Sequence, residues 1–120
     1  MKRRVLAAVD DLFFAARIRA TAEHLGIEVE FPRSLEALDA AARGGAFALV
    51  IVDLHLQRHD PFAVAQLFKA DEVLRETPLV AFFSHVQVEL QRRADEAGFD
   101  RVLPRSAFTK RLPDILQGQL

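Results

Sequence analysis

The sequence predicts an α/β domain in which five strand–helix units wind into one parallel sheet with helices on both faces. Short apolar runs of strand length alternate with stretches of helical spacing from one end of the chain to the other. Glycines, capping residues and one Asp-Pro pair stand at the joints between them. No linker, repeat or low-complexity stretch interrupts the alternation, so the 120 residues are expected to form a single domain spanning 1–120.

The first apolar run, 4–9 (RVLAAV), is short enough for a strand buried on both faces. Residues 11–25 follow with Phe14, Ile18, Ala22 and Leu25 on one helical stripe, and Gly26 stands where a helix ends in the left-handed conformation. The segment 27–31 (IEVEF) alternates apolar and acidic residues, as a half-exposed strand does. Ser34 is placed to cap a helix through Leu35, Leu38 and Ala42, which Gly44-Gly45 ends. Residues 47–52 (FALVIV) are the most apolar run and should be the central strand.

Asp60-Pro61 reads as the cap and first position of a helix carrying Val64, Leu67 and Phe68. A fourth strand is expected at 78–83 (PLVAFF), then a helix marked by Val86, Leu90, Ala94 and Ala97 and closed by Gly98. Residues 101–103 make a short fifth strand. Thr109 is expected to start a last helix through Leu112, Ile115 and Leu116, kept short or bent by Pro113. Right-handed crossovers then leave the flavodoxin-like (βα)5 doubly wound sheet, strand order 2-1-3-4-5, as one of two common topologies.

Composition excludes several functions. There is no cysteine, so disulfides, thiolate metal sites and cysteine chemistry are ruled out. The 16 basic and 17 acidic side chains nearly cancel, which argues against a strong non-specific hold on nucleic acid or anionic membrane. Met1-Lys2-Arg3-Arg4 resembles the start of a signal peptide, but the apolar run behind it stops at Asp10, and nothing approaches the ~20 residues of a membrane span. A cytoplasmic location is expected. No DNA-binding domain follows residue 120, so direct control of transcription is not expected.

In a sheet of this order, ligands sit at the carboxyl ends of the strands, beside the switch point between strands 1 and 3. Asp10 and Asp11 follow strand 1, Asp53-Leu54-His55 follows strand 3, Ser84-His85 follows strand 4, and Pro104-Arg105-Ser106 follows strand 5. Strands 1 and 3 are neighbours, so Asp10 and Asp53 should share one crevice. Two close carboxylates repel unless a cation or proton intervenes, and an oxygen-rich site of that kind suits Mg²⁺.

Acids after strand 1, an Asp ending strand 3, a hydroxyl residue after strand 4 and a cation after strand 5 resemble the receiver domain of bacterial two-component response regulators. The resemblance covers roughly residues 4–116. It implies that Asp53 takes the phosphoacceptor position, with a histidine kinase or another signalling protein as partner. It also implies weak Mg²⁺ binding by Asp10, Asp11, Asp53 and the backbone carbonyl of His55. Arg105 takes the place of the family's Lys, and Ser84 that of its Thr or Ser. Partner contacts are implied on the first helix or on the face of helix 4, strand 5 and helix 5, where two copies can also pair.

The departures from the family pattern point to a degenerate member, a pseudo-receiver. Counted back from Gly26, Asp10 takes the second position of the family's acidic pair and Val9 the first. Asp10 can also cap the first helix, a role compatible with metal contact, and Asp11 suits its first turn better than a metal. Counted back from Gly98, Phe83 rather than Ser84 falls on the hydroxyl position, and Ser84 is equally placed to cap the fourth helix. Val102 stands where many receivers carry a switching aromatic residue, and Ser106, Gln57 and Pro61 also depart from the pattern.

Two roles are open to Arg105: a fixed ion pair with Asp53, which is the favoured one, or a contact to a phosphoryl group. Asp53-Leu54-His55 also opens like a cobalamin-binding Asp-x-His-x-x-Gly motif, but Arg58 fills the Gly position. His24, His59 and His85 lack metal-ligand spacing. Phe13-Phe14 and Phe82-Phe83 are candidates to line the mouth of the crevice.

The sequence thus points to a non-enzymatic signalling module whose chemistry is at most its own phosphorylation from a phosphohistidine donor at Asp53. A small-ligand or nucleotide-binding protein or enzyme on the same fold is the alternative. A deep apolar crevice would favour the alternative, a shallow acidic one the module.

Overall fold

The computed structural model describes residues 2–84 and 87–120, so the expectations placed on Met1, His85 and Val86 fall outside it. Five strands, β1 (Arg4–Ala8), β2 (Glu28–Glu30), β3 (Leu49–Asp53), β4 (Leu79–Phe83) and β5 (Arg101–Pro104), form one sheet of order β2-β1-β3-β4-β5. Each neighbouring pair is parallel, and the central register sets Ala8 opposite Val52 and Asp53 opposite Phe82. The flavodoxin-like order expected from the sequence is therefore the one found.

Helices α1 (Leu12–His24), α2 (Leu35–Gly44), α3 (Pro61–Lys69), α4 (Val88–Ala97), α5 (Arg105–Lys110) and α6 (Leu112–Leu116) cover the sheet. Because strand side chains alternate, β3 feeds two cores. Val50 and Val52 join Leu38, Val64, Phe68 and Ala94 under α2, α3 and α4. Leu49 and Ile51 join Phe14, Ile18, Phe108 and Ile115 under α1, α5 and α6. All five residues of β3 and of β4 are buried, which is why those runs read as continuously apolar.

Local chemistry sets most of the boundaries. The Ser34 hydroxyl accepts from Ala37 N at 3.0 Å, and Asp60 accepts from Phe62 N at 2.9 Å with Pro61 opening α3. Gly26 (φ +71°) and Gly98 (φ +100°) leave α1 and α4 in the left-handed region that a side chain would strain. A short 3₁₀ turn, Leu74–Glu76, was not expected; it is nucleated by Asp71, whose carboxylate accepts from Val73 N and Leu74 N.

Two boundary expectations are corrected. α4 starts at Val88 with Gln87 in the cap position, so Ser84 does not cap it. The last helical segment starts at Arg105, not Thr109: Pro104 supplies an extended cap (φ −60°, ψ 148°), and the Thr109 hydroxyl lies inside α5, donating to Arg105 O at 2.8 Å. The break comes at Arg111, because Pro113 has no N–H for the carbonyl four residues back.

Phe82 is fully buried between Phe14 and Phe108, with ring centroids 4.7 Å from each. This trio joins α1, β4 and α5 directly beneath the carboxyl ends of the strands. Phe82→Ala is expected to cost about 3–5 kcal/mol, a large share of the roughly 5–15 kcal/mol that holds a domain together. Urea unfolding should show a strongly lowered midpoint, and a loss below about 1 kcal/mol would show that the trio is not a packing centre.

Candidate functional site

β1 and β3 lie side by side, so the residues that end them meet. Asp53, the last residue of β3, is only 7% exposed. Its Oδ1 accepts the amide of His55 at 2.9 Å, an Asx turn that folds the following loop back over the strand end. Burial raises its carboxyl above the ordinary carboxylate range, and the negative charge of Asp10 pushes the same way. The His55 amide, then the His55 imidazole and then the positive field of Arg105 oppose the shift without cancelling it. The neighbouring strands thus bring Asp10 near enough for its charge to act on Asp53.

Asp10 does not cap α1. Its Oδ2 accepts Gln57 N at 2.8 Å and Arg58 N at 3.2 Å, and its Oδ1 lies 3.3 Å from Arg58 Nε. One carboxylate therefore clasps the loop after β3 through both the backbone and the side chain of Arg58. Asp11 is the cap instead: Oδ1 accepts Phe13 N at 2.9 Å and Phe14 N at 3.1 Å.

The remaining oxygen of Asp11 receives Arg105 Nη2 at 2.9 Å. This corrects the expected ion pair between Arg105 and Asp53. Arg105 leaves the start of α5 across the Phe14 ring, 4.2 Å from its centroid, and is steered to the mouth of α1. The Arg105 hydrogen bond, first, and the Phe14 amide, second, hold Asp11 below the usual carboxylate range. Among the described residues Asp53 forms no ion pair.

Strand alternation separates the two candidates for the hydroxyl position. Phe83 is buried in the core beneath α3 and α4, whereas Ser84 is exposed. With Phe13, Phe14, Arg17, Arg105, Ser106 and Thr109, Ser84 lines an open cleft of about 1000 Å³. The expectation that Phe82 and Phe83 line the crevice mouth is corrected, since both are core; Phe13, 91% exposed, and Phe14 line this cleft instead. A second hollow, about 620 Å³, lies at the opposite, amino ends of β3 and β4, between Phe47, Phe68 and Leu74.

The four groups expected to hold Mg²⁺ are each engaged. Asp10 is held by Arg58 and two amides, Asp11 by Arg105 and two amides, Asp53 by the His55 amide, and the His55 carbonyl by Gln57 Nε2 at 3.1 Å. Among the described residues no three or more Asp, Glu or His side chains gather closely enough to hold a metal. A hard cation that sheds water reluctantly needs open anionic oxygens, so Asp10 and Asp11 as held here are poor ligands for Mg²⁺. Arg58 is the participant that the sequence reading passed over, having been weighed only as the residue that breaks a cobalamin motif.

Similar folds are known. The chemotaxis response regulator CheY4 of Vibrio cholerae superposes with a TM-score of 0.83 at 22% identity, covering 100% of both chains. A response regulator from Hahella chejuensis gives 0.85 at 22% identity over 99% of this chain and 96% of the other. A Burkholderia pseudomallei response regulator, whose structure has a phosphorylated aspartic acid, a calcium ion and citrate, gives 0.79 at 19% identity over 98% and 68%. No protein-family model and no curated protein matches the chain. The likeness establishes that the chain has the flavodoxin-like fold found in receiver domains. Among the described residues no helix is long and apolar enough to cross a membrane.

Two stability measurements check the geometry. Because the folded-state pKa of Asp53 is raised, the folded protein binds the proton more readily than the unfolded chain, and ionised Asp53 costs stability above that pKa. Asp53→Asn is therefore expected to raise Tm at neutral pH, by about 4 °C for each kcal/mol recovered. The gain should fade as pH falls through the folded-state pKa and wild-type Asp53 protonates; a neutral-pH loss would contradict it. Asp11→Ala should lower stability by about 1 kcal/mol through loss of the α1 cap, and Asp11→Asn by clearly less. Equal losses would assign the effect to the Arg105 pair.

Proposed function

We propose that the protein is a receiver-like signalling module that works through protein–protein contacts, with Asp53 at the phosphoacceptor position and phosphoryl acceptance impaired. The observation that carries this reading is the commitment of both rim arginines, Arg58 to Asp10 and Arg105 to Asp11, beside a buried Asp53 with no ion pair among the described residues. To attack a phosphohistidine, Asp53 must be ionised, and burial favours its neutral form. To meet the arriving phosphoryl oxygens, Arg105 must leave Asp11 and the Phe14 ring. Ser84, exposed just after β4, lines the cleft beside Arg105, together with the hydroxyl residues Ser106 and Thr109.

The module is taken to be cytoplasmic and not an enzyme beyond its own phosphorylation. Any affinity for Mg²⁺ is weak, millimolar or poorer, because the oxygens of Asp10 and Asp11 are already engaged. Its partner is a histidine kinase or another signalling protein. The amino end of α1 offers Leu12 and Phe13, 75% and 91% exposed, as an apolar contact, and the α4–β5–α5 face is the other candidate, for a partner or a second copy. The cleft at the carboxyl ends is open rather than a deep enclosed cavity, which favours this reading over a small-ligand pocket.

Heteronuclear NMR with beryllofluoride and Mg²⁺ tests the reading. Amide shifts are expected to move little, and only around 53–58, while 88–116 keep one conformation. Partner binding should be close to wild type in Asp53→Asn. Large shifts across 88–116 that disappear in Asp53→Asn would restore the protein to the phosphorylation-driven class.

A further inference from the structure

We infer that Arg58 is a tethered cation that takes the place of a divalent metal beside Asp10, making the crevice independent of Mg²⁺. The inference concerns the charge balance of the crevice and holds whether or not the protein signals. Asp10 and Asp53 are brought together by neighbouring strands, and two nearby carboxylates need a cation or a proton to coexist. The Arg58 guanidinium meets Asp10 Oδ1 at 3.3 Å, and the amides of Gln57 and Arg58 cover Oδ2 at 2.8 and 3.2 Å. Positive charge and hydrogen-bond donors thus surround the first-loop carboxylate whose charge acts on Asp53.

Arg58 has an advantage over a free cation in its covalent attachment. A tethered group acts at an effective concentration on the order of millimolar or above without leaving the molecule. Its two side chains are only partly solvated, 36% exposed for Arg58 and 25% for Asp10, so screening by water is reduced. Mg²⁺ must strip part of its own hydration shell, displace the guanidinium and break the amide contacts to reach the same oxygens. The His55 carbonyl offers it no easier entry, being held by Gln57 Nε2 at 3.1 Å. A guanidinium cannot lose its charge in the physiological range, so this neutralisation is permanent.

The test uses MgCl₂ alone, with no phosphodonor or partner and with ionic strength matched by KCl. Tm and the amide shifts of 53–58 are followed in wild type, Arg58→Ala, Arg58→Gln and Arg58→Ala combined with Asp10→Asn. Wild type should show no saturable response up to about 10 mM Mg²⁺. Each single variant should gain one, at concentrations about tenfold lower or better, with a Tm that climbs as Mg²⁺ is added. The added Asp10→Asn should abolish the gain. Saturable wild-type binding below about 1 mM, or single variants that bind no better than wild type, would overturn the proposal. If both single variants failed to fold, the wild-type titration would still decide it.

Discussion

Asp53 ends a strand that is buried along its whole length, and this places a carboxylate at the edge of the apolar core. An ionised group there loses hydration, and the loss must be offset or the proton retained. The help comes from the His55 amide and, more weakly, from the His55 side chain and Arg105, while the acid Asp10 makes matters worse. Much of the loop architecture at the carboxyl ends can be read as a response to that problem. Asp10 is drawn away into the loop after β3 and neutralised there by Arg58, so that its charge bears less heavily on Asp53.

A second charge pair completes the rim. Asp11 caps α1 and pairs with Arg105, which crosses the Phe14 ring to reach it. Phe14 in turn belongs to the trio with Phe82 and Phe108 that ties α1 and α5 to β4. Packing therefore sets the path of Arg105: the aromatic surface guides the guanidinium to the helix start and away from Asp53. The cation that the fold brings to the end of β5 is present, but it is spent on holding α5 against α1.

The parts of this arrangement that depend on short-range chemistry were legible in the sequence. Ser34 and Asp60 cap as expected, Gly26 and Gly98 take the left-handed conformation, and strand order follows from the alternation of elements. The meeting of Asp10 with Asp53 follows from that order alone. The partners of the two arginines were not legible, because a long flexible side chain chooses among acids that lie within a few ångströms of each other only after folding. Arg105 and Asp11 are 94 residues apart, and nothing in either segment distinguishes Asp11 from Asp53 as the target. The start of α5 was missed because Thr109 looks like a cap, whereas the turn is set by Pro104. The choice between Phe83 and Ser84 required the strand register, since a one-residue shift exchanges the two faces of β4.

The arginines of the rim pair with Asp10 and Asp11, and the partial help Asp53 receives does not outweigh its burial. Carbon-13 NMR titration of the side-chain carboxyls tests this directly, because each aspartate reports its own protonation. Asp53 should titrate above the ordinary aspartate value and Asp11 below it, with the two curves clearly separated. An Asp53 that titrates as low as Asp11, or lower, would mean that a cation serves Asp53 after all and would contradict the claim.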